Sequence, residues 1–393
     1  MRHSWKQALL VATFGLAMAG CSTVQVTRPA EAPAPEPDAA PVGHWQFQAS
    51  QRPPAERDGY RPPQRLAVLL PLSGSLATTA GPVRDGLLAG YYGEYRRRPD
   101  LQFYDTGGTA YGAVEAYRRA VAEGADQVVG PLGRDEVDAV FAQTSADVPV
   151  LALNRAGTPP TNSASYALAP EDEGKAAADF LAARNALRVL ALSSGDDNAR
   201  RSIDALRARL QELGGDVVQV LTVYGDAPPD LVAPMQAAVQ SGGGVDAVFI
   251  ALRGPQARLA AAQVSAAGLS GRPRVATSQL LSGTGQAEED TALDGIAFPS
   301  DAWTVSGIPG LPAAAGVAQV LPTARGPAAR LFAFGYDAWL LSAYLGHLAT
   351  SPEASISSAS GVLRMGPDGH VLRTPAWSTF SGGHVVPLAG AGR

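Results

Sequence analysis

At 393 residues the chain exceeds what one hydrophobic core usually serves, so two lobes or domains are expected. A formal charge of −5 argues against nucleic acid as the main partner. The single cysteine, Cys21, excludes intrachain disulfides and any cysteine-based zinc cluster. His3, His44, His347, His370 and His384 have no ligand-type neighbour at metal spacing, so neither a metal nor another cofactor is expected.

Residues 1–20 read as a signal peptide, with Arg2 and Lys6 as its basic start and a mostly apolar stretch over 8–19. That stretch is short for a bilayer span. It ends in Leu16-Ala17-Met18-Ala19-Gly20-Cys21, which resembles a bacterial lipobox with Met18 in place of the usual leucine. Lipidation of Cys21 is therefore expected; the alternative is a plain secretory signal with an incidental cysteine. Ser22, in lipoproteins of this kind, implies sorting to the outer membrane. Residues 21–63 read as a tether rich in Pro and Ala, able to reach on the order of 100 Å at ~3.1 Å per residue. Within it, His44-Trp45-Gln46-Phe47 is read as packing on the folded domain or staying disordered, or as a docking element.

The folded chain is organised around residues 65–90, RLAVLLPLSGSLATTAGPVRDGLLAG. Leu66 to Leu70 form a continuous apolar run, which suits a parallel strand covered on both faces. Pro71 ends it, Ser73-Gly74-Ser75 turn, and Val83, Leu87, Leu88, Tyr91 and Tyr95 recur at helical spacing. Further strands are predicted over 101–104, 126–129 and 148–153, with helices between them, implying a parallel sheet with right-handed crossovers. Beyond Tyr166 the pattern restarts. Pro170-Glu171-Asp172-Glu173 opens a helix with acids that suit its dipole. Strands follow over 187–192, 217–224, 246–252 and 274–277. The tail reads as a strand over 294–298, a loop over 303–326, a long helix over 328–348, a hairpin over 361–380 and a last strand over 384–388.

The blocks LLPLSG, YDTGG, QVVGPLGRDEV, PVLALN, ALAPEDEG, FAFGYDAWLL and GVLRMGPDGHVLRTPAWSTFSGG occur in order. Together they resemble the LppC/LpoA family of outer-membrane lipoprotein activators of penicillin-binding proteins. That resemblance implies an α/β type I periplasmic-binding-protein (Venus flytrap) fold: two doubly wound lobes with parallel sheets and a C-terminal β-hairpin. It places one lobe at 64–168 plus 297–350 and the other at 169–296 plus 351–393. It also implies a non-enzymatic role, activation of a class A penicillin-binding protein from the outer membrane. Larger members carry an N-terminal helical-repeat domain, and the expectation here is a short form in which a linker precedes the flytrap.

The residues themselves offer little catalysis. Ser73 lacks the flanking glycines of a nucleophile elbow and reads as a helix-start serine. Gly242-Gly243-Gly244 precedes a strand, the wrong polarity for a phosphate loop. Glu288-Glu289-Asp290 reads as a solvated acidic run. In binding proteins of this fold the loops after the first, third and fourth strands line the cleft. Here they carry Ser73 and Gly74; then Leu132, Gly133 and Arg134; then Asn154, Arg155 and Thr158. Gly133-Arg134 lacks the hydroxyls typical of amino-acid receptors. Arg134 and Arg155 are candidates for holding an anion, or Arg134 pairs with Asp135 or Asp138. Trp303, in a Pro/Gly-rich loop, is the candidate partner-binding anchor, with packing on the cleft rim as the alternative; Trp339 is expected in the core. The rival function is a lipid-anchored receptor for an amino-acid-like molecule or cell-wall fragment.

Overall fold

The computed structural model describes residues 43–46, 52–145, 147–223, 225, 230–351 and 353–388. The signal peptide, Cys21 and the first part of the tether lie outside them. The first lobe comprises β1 (Arg65–Leu70), α1 (Ala77–Gly93), β2 (Asp100–Asp105), α2 (Ala110–Ala122), β3 (Gln127–Val129), α3 (Arg134–Phe141), β4 (Val150–Ala152) and β5 (Ala164–Ser165). Its strands are parallel, in the order β2-β1-β3-β4-β5. The apolar run of β1 feeds two cores at once. Leu66, Val68 and Leu70 pack with Val83, Leu87 and Trp339, while Ala67 and Leu69 face Ala113, Tyr117 and Val137. A strand buried on both faces needs no polar alternation, which is why the run is continuous.

The second lobe repeats the scheme. It contains α4 (Pro170–Ala182), β6 (Arg188–Ser193), α5 (Asp197–Glu212), β7 (Asp216–Thr222), α6 (Val232–Gln240), β8 (Ala247–Ala251), α7 (Gly254–Ala266), β9 (Arg274–Ala276), α8 (Ala287–Asp290) and β10 (Ala297–Ser300). Its parallel strands run β7-β6-β8-β9-β10, the same winding as the first sheet. Leu190 and Leu192 face one core, Val189 and Ala191 the other. This is the doubly wound architecture expected from the sequence, twice over.

The remaining chain carries α9 (Ala302–Ser306), α10 (Ala314–Val320), α11 (Ala328–Thr350), β11 (Ile356–Ser357), β12 (Gly361–Met365), β13 (Val371–Ser381) and β14 (His384–Pro387). β13 pairs antiparallel with β12, with β10 and with β14, extending the second sheet to nine strands. Its first residue, Val371, nevertheless packs in the first lobe's core with Leu363, and Phe380 packs in the second. Residues 351–371 thus do not fall wholly to the second lobe, and Ala297 and Phe298, assigned by sequence to the first, pack in the second. α11 crosses α1 at touching backbones: a Cβ at Gly86 would lie 1.9 Å from the carbonyl oxygen of Phe332, and one at Gly335 would lie 1.9 Å from that of Val83.

Four sequence expectations need correction. The stretch 303–326 is not simply loop, since α10 and most of α9 lie within it. Trp303 is no exposed anchor: it is 1% exposed, stacks on Phe332 at 5.0 Å and donates its indole N–H to the Pro312 carbonyl at 2.8 Å. Asp290 is buried and paired with Arg258 at 2.5 Å, so only Glu288 and Glu289 of that run are solvated. The end of the tether is also structured. Arg52 pairs with Asp126 at 2.6 Å, and Tyr60 is buried beneath the Arg96 guanidinium, 3.7 Å from its ring centre. The contact of His44 with the Ser163 carbonyl at 2.7 Å agrees with the packing on the folded domain read for 44–47, of which Phe47 lies outside the described residues.

Candidate functional site

A cavity of about 860 Å³ lies between the lobes, within the size range of small-molecule sites. Leu132, Leu153 and Phe334 contribute apolar wall from the first lobe, and Ala199, Ala251 and Leu281 from the second. Two chain crossings, through 167–170 and 299–301, also line it.

Its polar framework is set by the start of α4. Pro170 at the first helical position fixes the entry, and the acids that follow fan out to three arginines. Glu171 accepts a fork of two hydrogen bonds from Arg201 of α5, at 2.7 and 2.9 Å. Asp172 pairs at 2.7 Å with Arg155, in the loop after β4. Glu173 pairs at 2.5 Å with Arg330 near the start of α11 and accepts from the Ser278 hydroxyl at 2.7 Å and its backbone N–H at 2.9 Å. Arg330 also donates to the Ser278 hydroxyl. Consecutive helical residues point about 100° apart, so one turn of α4 engages both lobes.

Burial works against the charge on Glu173, but Arg330 and Arg373 outweigh it and hold its carboxyl below the ordinary range. Asp301 lies at the second crossing, with an oxygen 3.8 Å from Arg373 and no hydrogen-bond partner for that oxygen; burial pushes its carboxyl up. Burial also opposes the charge on Arg330, and Glu173 and Asp301 restore it and raise its pKa.

Of the residues expected in the cleft, Leu132, Asn154 and Arg155 line it. Asn154 donates its amide to the Leu132 carbonyl at 2.9 Å, joining two of the three loops. Arg155 is already committed to Asp172 and to the Val371 carbonyl, 2.9 Å away. The other expected residues are not part of the lining. The Ser73 N–H donates to Asp105 at 3.1 Å, and Gly74 turns with φ 79°. Gly133 caps α3, its N–H donating to Glu136 at 2.6 Å. Arg134 is exposed and in no ion pair with Asp135 or Asp138; Thr158 is exposed too. Sequence reasoning missed Glu173, Ser278, Asp301 and Arg330. The one signal was the acid run at 171–173, which helix-dipole logic explained without any partner.

The family model described as "LppC putative lipoprotein" matches residues 60–383. The chain belongs to this LppC family. The penicillin-binding protein activator LpoA of Mannheimia succiniciproducens is 27% identical over 336 residues, covering 82% of this chain and 55% of the relative. LpoA of Serratia proteamaculans is 27% identical over 333 residues, covering 74% and 47%. The chain therefore spans about half the length of the curated relatives it matches. Among solved structures, the LpoA (YraM) C-domain from Haemophilus influenzae, a regulator of PBP1A, aligns with a TM-score of 0.70 at 22% identity, over 83% of this chain and all of that one (100%). A Chromobacterium violaceum protein assigned to a branched-chain amino acid ABC transporter aligns with a TM-score of 0.64 at 28% identity, over 80% and 99%. The LppC body thus has the type I periplasmic-binding-protein fold, with its cavity where two doubly wound sheets meet.

Proposed function

We propose that this chain is a non-enzymatic activator of a bifunctional, class A penicillin-binding protein. In this reading it is lipid-anchored through Cys21, faces the periplasm from the outer membrane, and promotes peptidoglycan synthesis. The observation that carries the reading is the family match over 60–383, which takes in both lobes and the C-terminal hairpin. The names of the relatives, penicillin-binding protein activators, support it. The test is to add the purified chain to a class A synthase and follow glycan polymerisation and peptide crosslinking. Faster synthesis is expected; unchanged rates with no binding would sink the proposal.

A second reading is favoured by the cavity itself: a receptor for an amino-acid-like molecule or cell-wall fragment. The commitment of Arg155, Arg201 and Arg330 to carboxylates of α4 weighs against a strongly anionic ligand. Thermal unfolding with amino acids and peptidoglycan fragments tests it, since a ligand at 100 times its Kd adds ~2.7 kcal/mol. No shift with any of them would remove this reading.

A further inference from the structure

Among the described residues, two of the most exposed large aromatic side chains lie together at the end of α1. Tyr92 is 70% exposed and Tyr95 is 101% exposed, three positions apart across the helix end at Gly93. Arg96, Arg97 and Arg98 follow directly. Arg96 is committed: it pairs with Glu94 at 2.8 Å, Asp58 at 2.9 Å and Glu56 at 3.5 Å. Arg97 and Arg98 are exposed, and no carboxylate pairs with either among the described residues; Arg98 leans on Tyr91, donating to its carbonyl at 3.3 Å with its guanidinium 5.0 Å from the ring centre. Two tyrosines thus stand beside two guanidinium groups that lack an anionic partner.

The fold does not explain this pairing, because burying none of the Tyr95 ring gains nothing from it. Tyrosine and arginine are the residue types that anchor protein interfaces. The base of the patch and the Tyr92 ring are also held in advance. The Tyr92 ring rests edge-on against Tyr91 at 5.2 Å, and Tyr91 rests against buried Trp339 at 5.5 Å. Tyr91 donates its hydroxyl to the Pro99 carbonyl at 3.1 Å, and Tyr60 donates to the Arg97 carbonyl at 2.7 Å. The Tyr92 ring, fixed on that base, loses little freedom on binding. Local charge selects the partner: a carboxylate-bearing surface supplies the anionic counterpart that Arg97 and Arg98 lack.

We propose that Tyr92, Tyr95, Arg97 and Arg98 form the docking face for an acidic surface patch on the penicillin-binding protein. This rests on the activator reading and adds the surface through which it acts. The test measures binding of the full-length chain, in detergent, to a purified class A penicillin-binding protein, at low and high salt. The Y92A/Y95A and R97E/R98E variants should each bind more than about 10-fold more weakly, with wild-type thermal midpoints, and added salt should weaken the wild type. If the wild type binds and both variants stay within about twofold, the docking face is overturned while the activator reading stands. If the unaltered chain binds no synthase, both fall. If the substitutions instead abolish binding to anionic phospholipid vesicles or purified peptidoglycan and leave synthase affinity intact, the face belongs to another surface and the proposal is overturned.

Discussion

Asp337 sits in the middle of α11 with no exposure, where a carboxylate needs several donors to stay charged. It has three: the Tyr166 hydroxyl at 2.8 Å and the backbone N–H groups of Ala359 and Ser360 at 2.7 and 3.0 Å. Burial still prevails and pushes its pKa up to about 6. The folded state therefore holds this proton more tightly than the unfolded chain. Its stabilising contribution is complete below about pH 4 and is lost as pH rises through about 6, a loss of ~3 kcal/mol. Denaturant titrations from pH 4 to 7 should show that decline, and Asp337→Asn should flatten it. Trp303 gives a second prediction at this scale. Trp303→Ala removes the stack on Phe332 and the bond to Pro312, and should cost ~3–5 kcal/mol in a denaturation midpoint assay. An exposed anchor would cost almost nothing, so the measurement separates the two placements.

Helix pairing shows what a sequence pattern conveys about an element and what it omits. The apolar positions of α1 and α11 were legible by their spacing, but the reason Gly86 and Gly335 are glycine was not. Each lies against the other helix's backbone, and a methyl group there has no room. Gly335→Ala should force the helices apart and cost at least the ~1–3 kcal/mol of an overpacked core, read from thermal unfolding. The β13 strand is a similar case. Its alternation marked a hairpin strand, but its service to both lobes depends on pairing with β12 at one end and with β10 and β14 at the other. The neighbouring strands β12 and β14 are legible as hairpin partners, but β10 lies far back in the sequence, and such a pairing leaves no local trace.

Across the whole molecule, the first turn of α4 links the lobes through Asp172–Arg155 and Glu173–Arg330. Arg330→Ala leaves the buried Glu173 carboxylate without its cation and should cost ~3–5 kcal/mol, whereas replacing both partners by leucine and methionine should recover most of that. Small-angle scattering should show the lobes of Arg330→Ala more widely separated; an unchanged profile and stability would show that the pair does not hold them. The sequence by itself determined the α/β class, the repeated winding and the candidate loops, because buried strands and amphipathic helices are written in local periodicity. Through Leu132, Asn154 and Arg155 it also reached part of the cleft. Only the tertiary structure decided which charges meet: Glu173 and Arg330 lie 157 residues apart, so their pairing depends on how the two lobes pack. The same packing buried Trp303 and Asp290 and left Tyr92 and Tyr95 exposed, since burial is a property of neighbours and not of residue type.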